Sequence, residues 1–258
     1  MITVLVRSAD GTLLASAAHP EEVLLSVDRV YQPGDVILIS GARHLRVQMD
    51  QSLPSGEVYL PGETMTWTVP AGEHRLAYAP GLFDAPRHVI SAKVLSAEEL
   101  ARSRILSRNP ADLRGETDFY PHCTANVETR NEACFCARNV IDGLRLNTFH
   151  GEWPFQSWGI GAREDAWCLL DLGRPVITEK MALTLRADFP HDAYWTAGCV
   201  VLSDGTGFSF DLRKTGDRQW IDLGNRAVRW LRLERLIKSD DPSAFPALRQ
   251  WEVIGRDL

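Results

Sequence analysis

The sequence is short of positive charge, of long apolar runs and of the signatures that mark common catalytic sites. Its 28 Lys+Arg stand against 34 Asp+Glu, a formal charge of −6, which argues against the basic stripe that a nucleic-acid surface needs. No apolar run approaches the roughly 20 residues of a membrane-spanning helix, so a soluble chain without a membrane partner is expected. There is no Gly-x-Ser-x-Gly elbow, no His-Glu-x-x-His and no phosphate loop. A βαβ rhythm is also missing, which leaves no basis for a parallel sheet. The opening MITVLVRSADGTLLASAAHP is broken by Arg7, Asp10 and Gly11; it reads as a hairpin and not as a signal peptide. Cysteine is sparse and odd in number, five residues between Cys123 and Cys199. That count suits a reducing compartment better than a secreted disulfide framework, so a cytoplasmic location is expected.

What the chain does have is enough apolar residue for real cores, 45% of 258 residues, in a length that suits two modest domains. In the N-terminal part, Ile2–Val6 and Thr12–Ala15 flank Asp10-Gly11, a two-residue hairpin signal. Further strands are predicted at Val36–Ser40, His44–Met49, Glu57–Leu60, Met65–Val69 and Val89–Leu95. Between them stand Gln32-Pro33-Gly34-Asp35, Leu53-Pro54-Ser55-Gly56, Leu60-Pro61-Gly62 and Val69-Pro70-Ala71-Gly72. In each, proline presets φ and glycine permits its positive values. Short strands so punctuated indicate a sandwich or barrel. The histidines here, His19, His44, His74 and His88, lack metal-ligand spacing.

Ser96-Ala97-Glu98-Glu99 forms a capping box, and Glu98 is placed to pair with Arg102 one turn on. Helix is predicted to continue through Leu100–Ser107 and to stop before Asn109-Pro110. Beyond it lie seven of the eight tryptophans. Lys180–Ala187 and Arg229–Leu236 alternate, burying Met181, Leu183 and Leu185, then Leu231 and Leu233. Cys199–Leu202 and Phe208–Leu212 flank a turn at Asp204-Gly205, and Gln250–Ile254 makes a last strand. The whole is all-β: two jelly-roll-like β-sandwich domains, 1–97 and 112–258, joined by a helical connector at 98–111.

Ala137-Arg138-Asn139-Val140-Ile141-Asp142-Gly143, then Thr148, then Trp167 through Asp171-Leu172-Gly173, form a pattern. It resembles the discoidin, or coagulation factor 5/8 type C, domain, also described as galactose-binding-like, over residues 120–255. The match departs at Thr148-Phe149-His150, where the family often has Trp two residues after Thr. The resemblance implies a jelly roll that binds sugars through loops at one end, often with structural calcium. It places the calcium ligands at Asp142, Thr148 and Glu252, and Asn147 can add an oxygen. The alternative is that Asp142 only caps its turn.

A sugar needs an aromatic platform and a few fixed polar groups. Two loops offer both: His150, Glu152 and Trp153 with Gln156 and Trp158, and Asp188, His191 and Asp192 with Tyr194 and Trp195. Lys238 and Asp240 supply charge from a third. Against this stands the reading of Trp153, Trp158 and Trp195 as packing residues. His122-Cys123 with Cys134 and Cys136 could hold zinc, but buried thiols explain them better. The leading function is therefore non-catalytic carbohydrate binding, in a chain that could also self-associate. A glycan-active enzyme using loop carboxylates and a protein-interaction module are the competing classes.

Overall fold

The computed structural model describes residues 1–146, 151, 153–189 and 191–258. The chain is almost entirely antiparallel β-structure. Its first part contains strands β1 (Ile2–Arg7), β2 (Leu13–His19), β3 (Glu22–Asp28), β4 (Val36–Ser40), β5 (His44–Gln48), β6 (Gly56–Tyr59), β7 (Thr64–Thr68) and β8 (Arg87–Val94). They form two four-stranded sheets, β2-β1-β4-β7 and β3-β8-β5-β6. Alternate residues turn inward, as a period of two requires: Ile2, Val4 and Val6 from one sheet meet Val23, Leu25 and Val27 from the other. Each such fully buried aliphatic side chain stabilises by about 2 kcal/mol. The Asp10-Gly11 turn is present, with Gly11 at φ +87°. Strand β3 was not among the predicted strands, although Val23, Leu25 and Val27 alternate within it.

The capping box forms as expected: Glu99 N–H donates to Ser96 Oγ at 3.1 Å and Ser96 N–H to Glu99 Oε2 at 2.9 Å. The helix itself, α1, is only Ala97–Ala101, not the longer helix the sequence suggests. Arg102 turns extended, and Arg104–Ile105 becomes strand β9, with Ile105 opposite Ile254. A helix of so few residues is marginal by itself, and a ladder to a long strand outcompetes its extension.

The second part contains β10 (His122–Ala125), β11 (Trp158–Gly159), β12 (Cys168–Leu185), β13 (Trp195–Leu202), β14 (Gly207–Asp211), β15 (Gln219–Lys238) and β16 (Ala247–Asp257). Their order is β11-β16-β12-β15-β13-β14, with β10 on β12 and β9 on β16. Two very long strands make this sheet fold over itself. The first half of β12 pairs with β10 and β15, and its second half pairs with β15 and β16. The change falls at Gly173, at φ +73°, where an added Cβ would lie 2.4 Å from the Tyr120 ring. Cys168, Leu170 and Leu172 from one half then share a core with Met181, Leu183 and Leu185 from the other.

The two parts are stitched together. Phe119, Ala111 and Ala133 belong to the first core. Tyr59 and Tyr120 exchange backbone hydrogen bonds of 2.8 and 3.0 Å, and Trp67 Nε1 donates to Ala111 O at 2.8 Å. Arg104 holds Glu57 at 2.7 Å and also pairs with Asp257. All five cysteines are free and buried.

Candidate functional site

The loops that leave β12 and β15 meet the short 3-10 turns at Thr129–Asn131 and Ala133–Phe135 at one end of the second sandwich. They enclose a pocket of about 170 Å³ whose lining includes Arg130, Phe135, Arg186, His191, Asp192 and Phe245. Each side chain is set by its backbone. Arg186 follows the last residue of β12, and its N–H donates to Ala247 O at 2.9 Å, which fixes where the strand ends. Asp188 and Asp192 close a tight loop: Asp192 N–H donates to Asp188 O, and Asp188 N–H to Asp192 Oδ2, both at 2.9 Å.

The polar wall of the pocket is a buried ion pair. Arg186 Nε lies 3.1 Å from Asp192 Oδ2, with both side chains almost fully buried. His191, 46% exposed, places Nδ1 3.2 Å from Asp192 Oδ1. Ser243 Oγ donates to His191 O at 2.5 Å and ties this loop to the one after β15. The apolar wall is aromatic. Phe135 lines the pocket and is backed by Phe155, which meets it edge-on at 5.9 Å and lies 5.9 Å from the Arg186 guanidinium. Arg130 lies 5.1 Å from Phe135 and is held by Glu132 at 2.6 and 2.8 Å. Phe245 remains half exposed.

Backbone strain gathers at the same end. Arg130 and Asn131 both adopt positive φ, 51° and 56°, a conformation that costs non-glycine residues free energy and concentrates at functional sites. Thr129 Oγ1 accepts from Gly161 N–H at 2.9 Å. At Gly159 an added Cβ would come within 2.6 Å of that same oxygen, so a side chain there would push the turn off the pocket.

Of the residues singled out from sequence, Asp188, His191 and Asp192 are brought together. Trp195 and Lys238 border a second depression of about 410 Å³ that shares Ile160 and Pro246 with the first. Trp158 and Trp195 are core residues, their rings 6.2 Å apart, with Trp158 Nε1 donating to Val127 O at 2.9 Å. Neither offers an open face as a platform, which corrects the expectation for both. Trp153 and Asp240 are exposed and line neither hollow. Asn147, Thr148, His150 and Glu152 lie outside the described residues. Sequence reasoning missed Arg130, Phe135, Arg186 and Phe245. The detectable signals were an arginine ending the Lys180–Ala187 strand and the Phe245-Pro246 pair beside the charged 238–241 loop.

The carboxylates expected to hold calcium have other partners. Asp142 caps its own turn, accepting from Leu144 N–H at 2.8 Å, and pairs with the fully buried Arg249 at 3.2 Å. Glu252 is gripped by Arg218 at 2.5 and 2.7 Å. A guanidinium already supplies the positive charge at each, so these two carboxylates do not fit a calcium site, where a hard cation wants their oxygens for itself. Among the described residues, the one cluster of three donors with metal-ligand proximity is Asp188, His191 and Asp192, whose donor atoms lie within 4.8 Å of one another. Within it, Asp192 is committed to Arg186 and to the Asp188 N–H. The His122, Cys123, Cys134 and Cys136 set does not form such a cluster. Burial pushes the Cys134 thiol up to about 11 and the Cys136 thiol up to about 12, which marks them as inert apolar groups.

No family model matches the sequence, and no curated protein matches it. Among solved structures the chain is similar to chitosan-binding module 1 of a chitosanase/glucanase from Paenibacillus sp. IK-5, at 18% identity and TM-score 0.41, over 59% of this chain and 99% of that one. It is similar to a Streptococcus pneumoniae fucose-binding module at 16% and 0.42, covering 58% and 96%. A family 32 carbohydrate-binding module from C. perfringens NanJ, in complex with galactose, follows at 13% and 0.40, covering 51% and 91%. Likeness at this level assigns no residue a role.

Proposed function

We propose that this protein binds carbohydrate without transforming it, and that the pocket of Arg186, His191 and Asp192 receives a single sugar ring. The observation that carries the reading is the pairing of a rigid polar wall with an aromatic one in a small hollow. A pyranose has an apolar face, which suits Phe135 and Phe245, and a rim of hydroxyls that both donate and accept. The Arg186–Asp192 pair offers donors and acceptors side by side, held by burial and by each other, so little ordering cost falls on binding. A volume near 170 Å³ is below that of pockets for drug-sized ligands and suits one monosaccharide unit. The residue pattern that resembles the galactose-binding-like family points the same way.

The enzymatic alternative has less support. Glycoside hydrolysis uses two carboxyl groups, and among the described residues Asp192 is the one carboxylate that lines the pocket.

A glycan array followed by calorimetry tests the proposal. Terminal monosaccharides on the array are expected to retain the protein, and His191→Ala, an exposed and fold-neutral change, to weaken binding about tenfold or more, the worth of one hydrogen bond of about 1.4 kcal/mol. If no glycan retains the protein, or if His191→Ala and Arg186→Lys bind as the parent does, the proposal fails.

A further inference from the structure

A larger cavity, about 350 Å³, lies where the first sandwich meets the second part of the chain. It borders the other side of the 3-10 segment that walls the sugar pocket: Phe135 lines one hollow, while Ala133, Cys136 and Arg138 line the other. Arg138 is 2% exposed, and among the described residues every hydrogen bond it makes goes to a neutral oxygen. Nη2 donates to Pro110 O at 2.8 Å, and Nη1 to Asn139 Oδ1 at 3.3 Å and Ala77 O at 3.5 Å. Its guanidinium lies 4.6 Å from the Tyr78 ring. Nε is buried without a partner among the described residues.

Burial opposes this charge and the nearby Asp142 and Asp112 favour it from a distance, but neither carboxylate forms an ion pair with it. Asp142 is engaged by Arg249 and Asp112 by His122. Burial pushes the Tyr78 phenol and the Cys136 thiol up to about 12, so both are neutral at pH 7. A buried guanidinium without a carboxylate is costly, and buried charges are normally paired. Here an open hollow adjoins the unpaired one. Its remaining surface is largely apolar, from Val69, Pro70, Ala77 and Leu113, with Arg114 already paired with Glu128 at 2.7 Å and Glu116 exposed at the margin.

We propose that this cavity binds a small organic carboxylate, its anionic group on Arg138 and its body against Tyr78 and Leu113. The site is separate from the sugar pocket and does not depend on that assignment. Carboxylate could come from an aromatic or aliphatic acid or from a sugar acid, and the probes separate these sources.

Benzoate, glucuronate and acetate are titrated calorimetrically into the full chain. Benzoate or glucuronate is expected to bind saturably and to raise the melting temperature, with acetate at least tenfold weaker because it lacks a body to bury. Ala71 lines the cavity on extended backbone (φ −135°, ψ 159°), so Ala71→Trp fills the space while leaving Arg138 in place. It is expected to weaken the preferred carboxylate at least tenfold without changing the melting temperature of the unliganded protein. Leu113→Phe repeats the test from another part of the lining should Ala71→Trp misfold. Preference for benzoate identifies the first source and preference for glucuronate the second. No saturable binding by any probe overturns the proposal. So does binding that survives both filling variants, or binding lost on His191→Ala, which would place the ligand in the other pocket.

Discussion

Asp142→Asn isolates a single charge in the core of the second sandwich. The change keeps an oxygen for the Leu144 N–H, bound at 2.8 Å, and so preserves the turn. It removes the anion facing Arg249, which is fully buried. Arg249 also donates to Asn139 O at 3.1 Å and Leu146 O at 3.0 Å, but neither acceptor carries charge. Deleting one partner of a buried ion pair costs about 3–5 kcal/mol, because the other charge stays buried and uncompensated. For a chain of this length that corresponds to a melting temperature lower by roughly 10 °C. Differential scanning calorimetry of the variant measures it directly. The double variant Asp142→Asn with Arg249→Met should recover much of the loss, since the stranded charge is gone. A single variant within about 1 kcal/mol of the parent, or a double variant less stable than the single, would refute the reasoning.

The same geometry predicts that a calcium chelator leaves the melting temperature unchanged; a fall on adding EDTA would show that an ion, not Arg249 and Arg218, balances Asp142 and Glu252. At His122, burial opposes the charged form, but the charge and the 2.6 Å hydrogen bond of Asp112 outweigh it and raise the imidazole above 6.5. A raised folded value means the contribution is complete below pH 6.5 and is lost as pH climbs through that higher value. Melting temperature against pH should therefore decline over that window in the parent, and the decline should flatten in His122→Asn; parallel curves would reject it. Gly173→Ala should destabilise by roughly 2–4 kcal/mol, because positive φ and overlap with Tyr120 act together, and denaturant titration will show whether the midpoint moves.

Much of the architecture was legible because burial on one face imposes a period of two. The runs at Lys180–Ala187 and Arg229–Leu236 became parts of β12 and β15 with the expected leucines inside. Their full length was hidden, since each strand is bent where its pattern lapses, at Gly173 in β12 and at Gly224-Asn225 in β15. Strand β3 escaped notice because exposed Leu24 blurs the alternation of Val23, Leu25 and Val27. The capping box was readable from four residues, but the end of the helix was set by a partner strand about 150 positions away. At the candidate site the contiguous Asp188, His191 and Asp192 were visible. Arg130 and Phe135 come from one run of 3-10 turns and Phe245 from the loop after β15, and only the folded topology brings them to the same pocket. Tryptophans in loop-like sequence read as ligand platforms, yet Trp158 and Trp195 went into the core, where large aromatics contribute most.

The stitching between the two sandwiches bears on how the protein can be taken apart. A cut just before residue 112 would strip Tyr59 from Tyr120, with which it exchanges backbone hydrogen bonds, and Asn109 from Pro121, to which its side-chain amide donates at 2.8 Å. It would also leave Phe119 and Ala133, now part of the first core, as apolar surface on the severed piece. The second part of the chain is therefore no portable cassette. Its boundary in space crosses its boundary in sequence, and the pair should melt together as one cooperative unit.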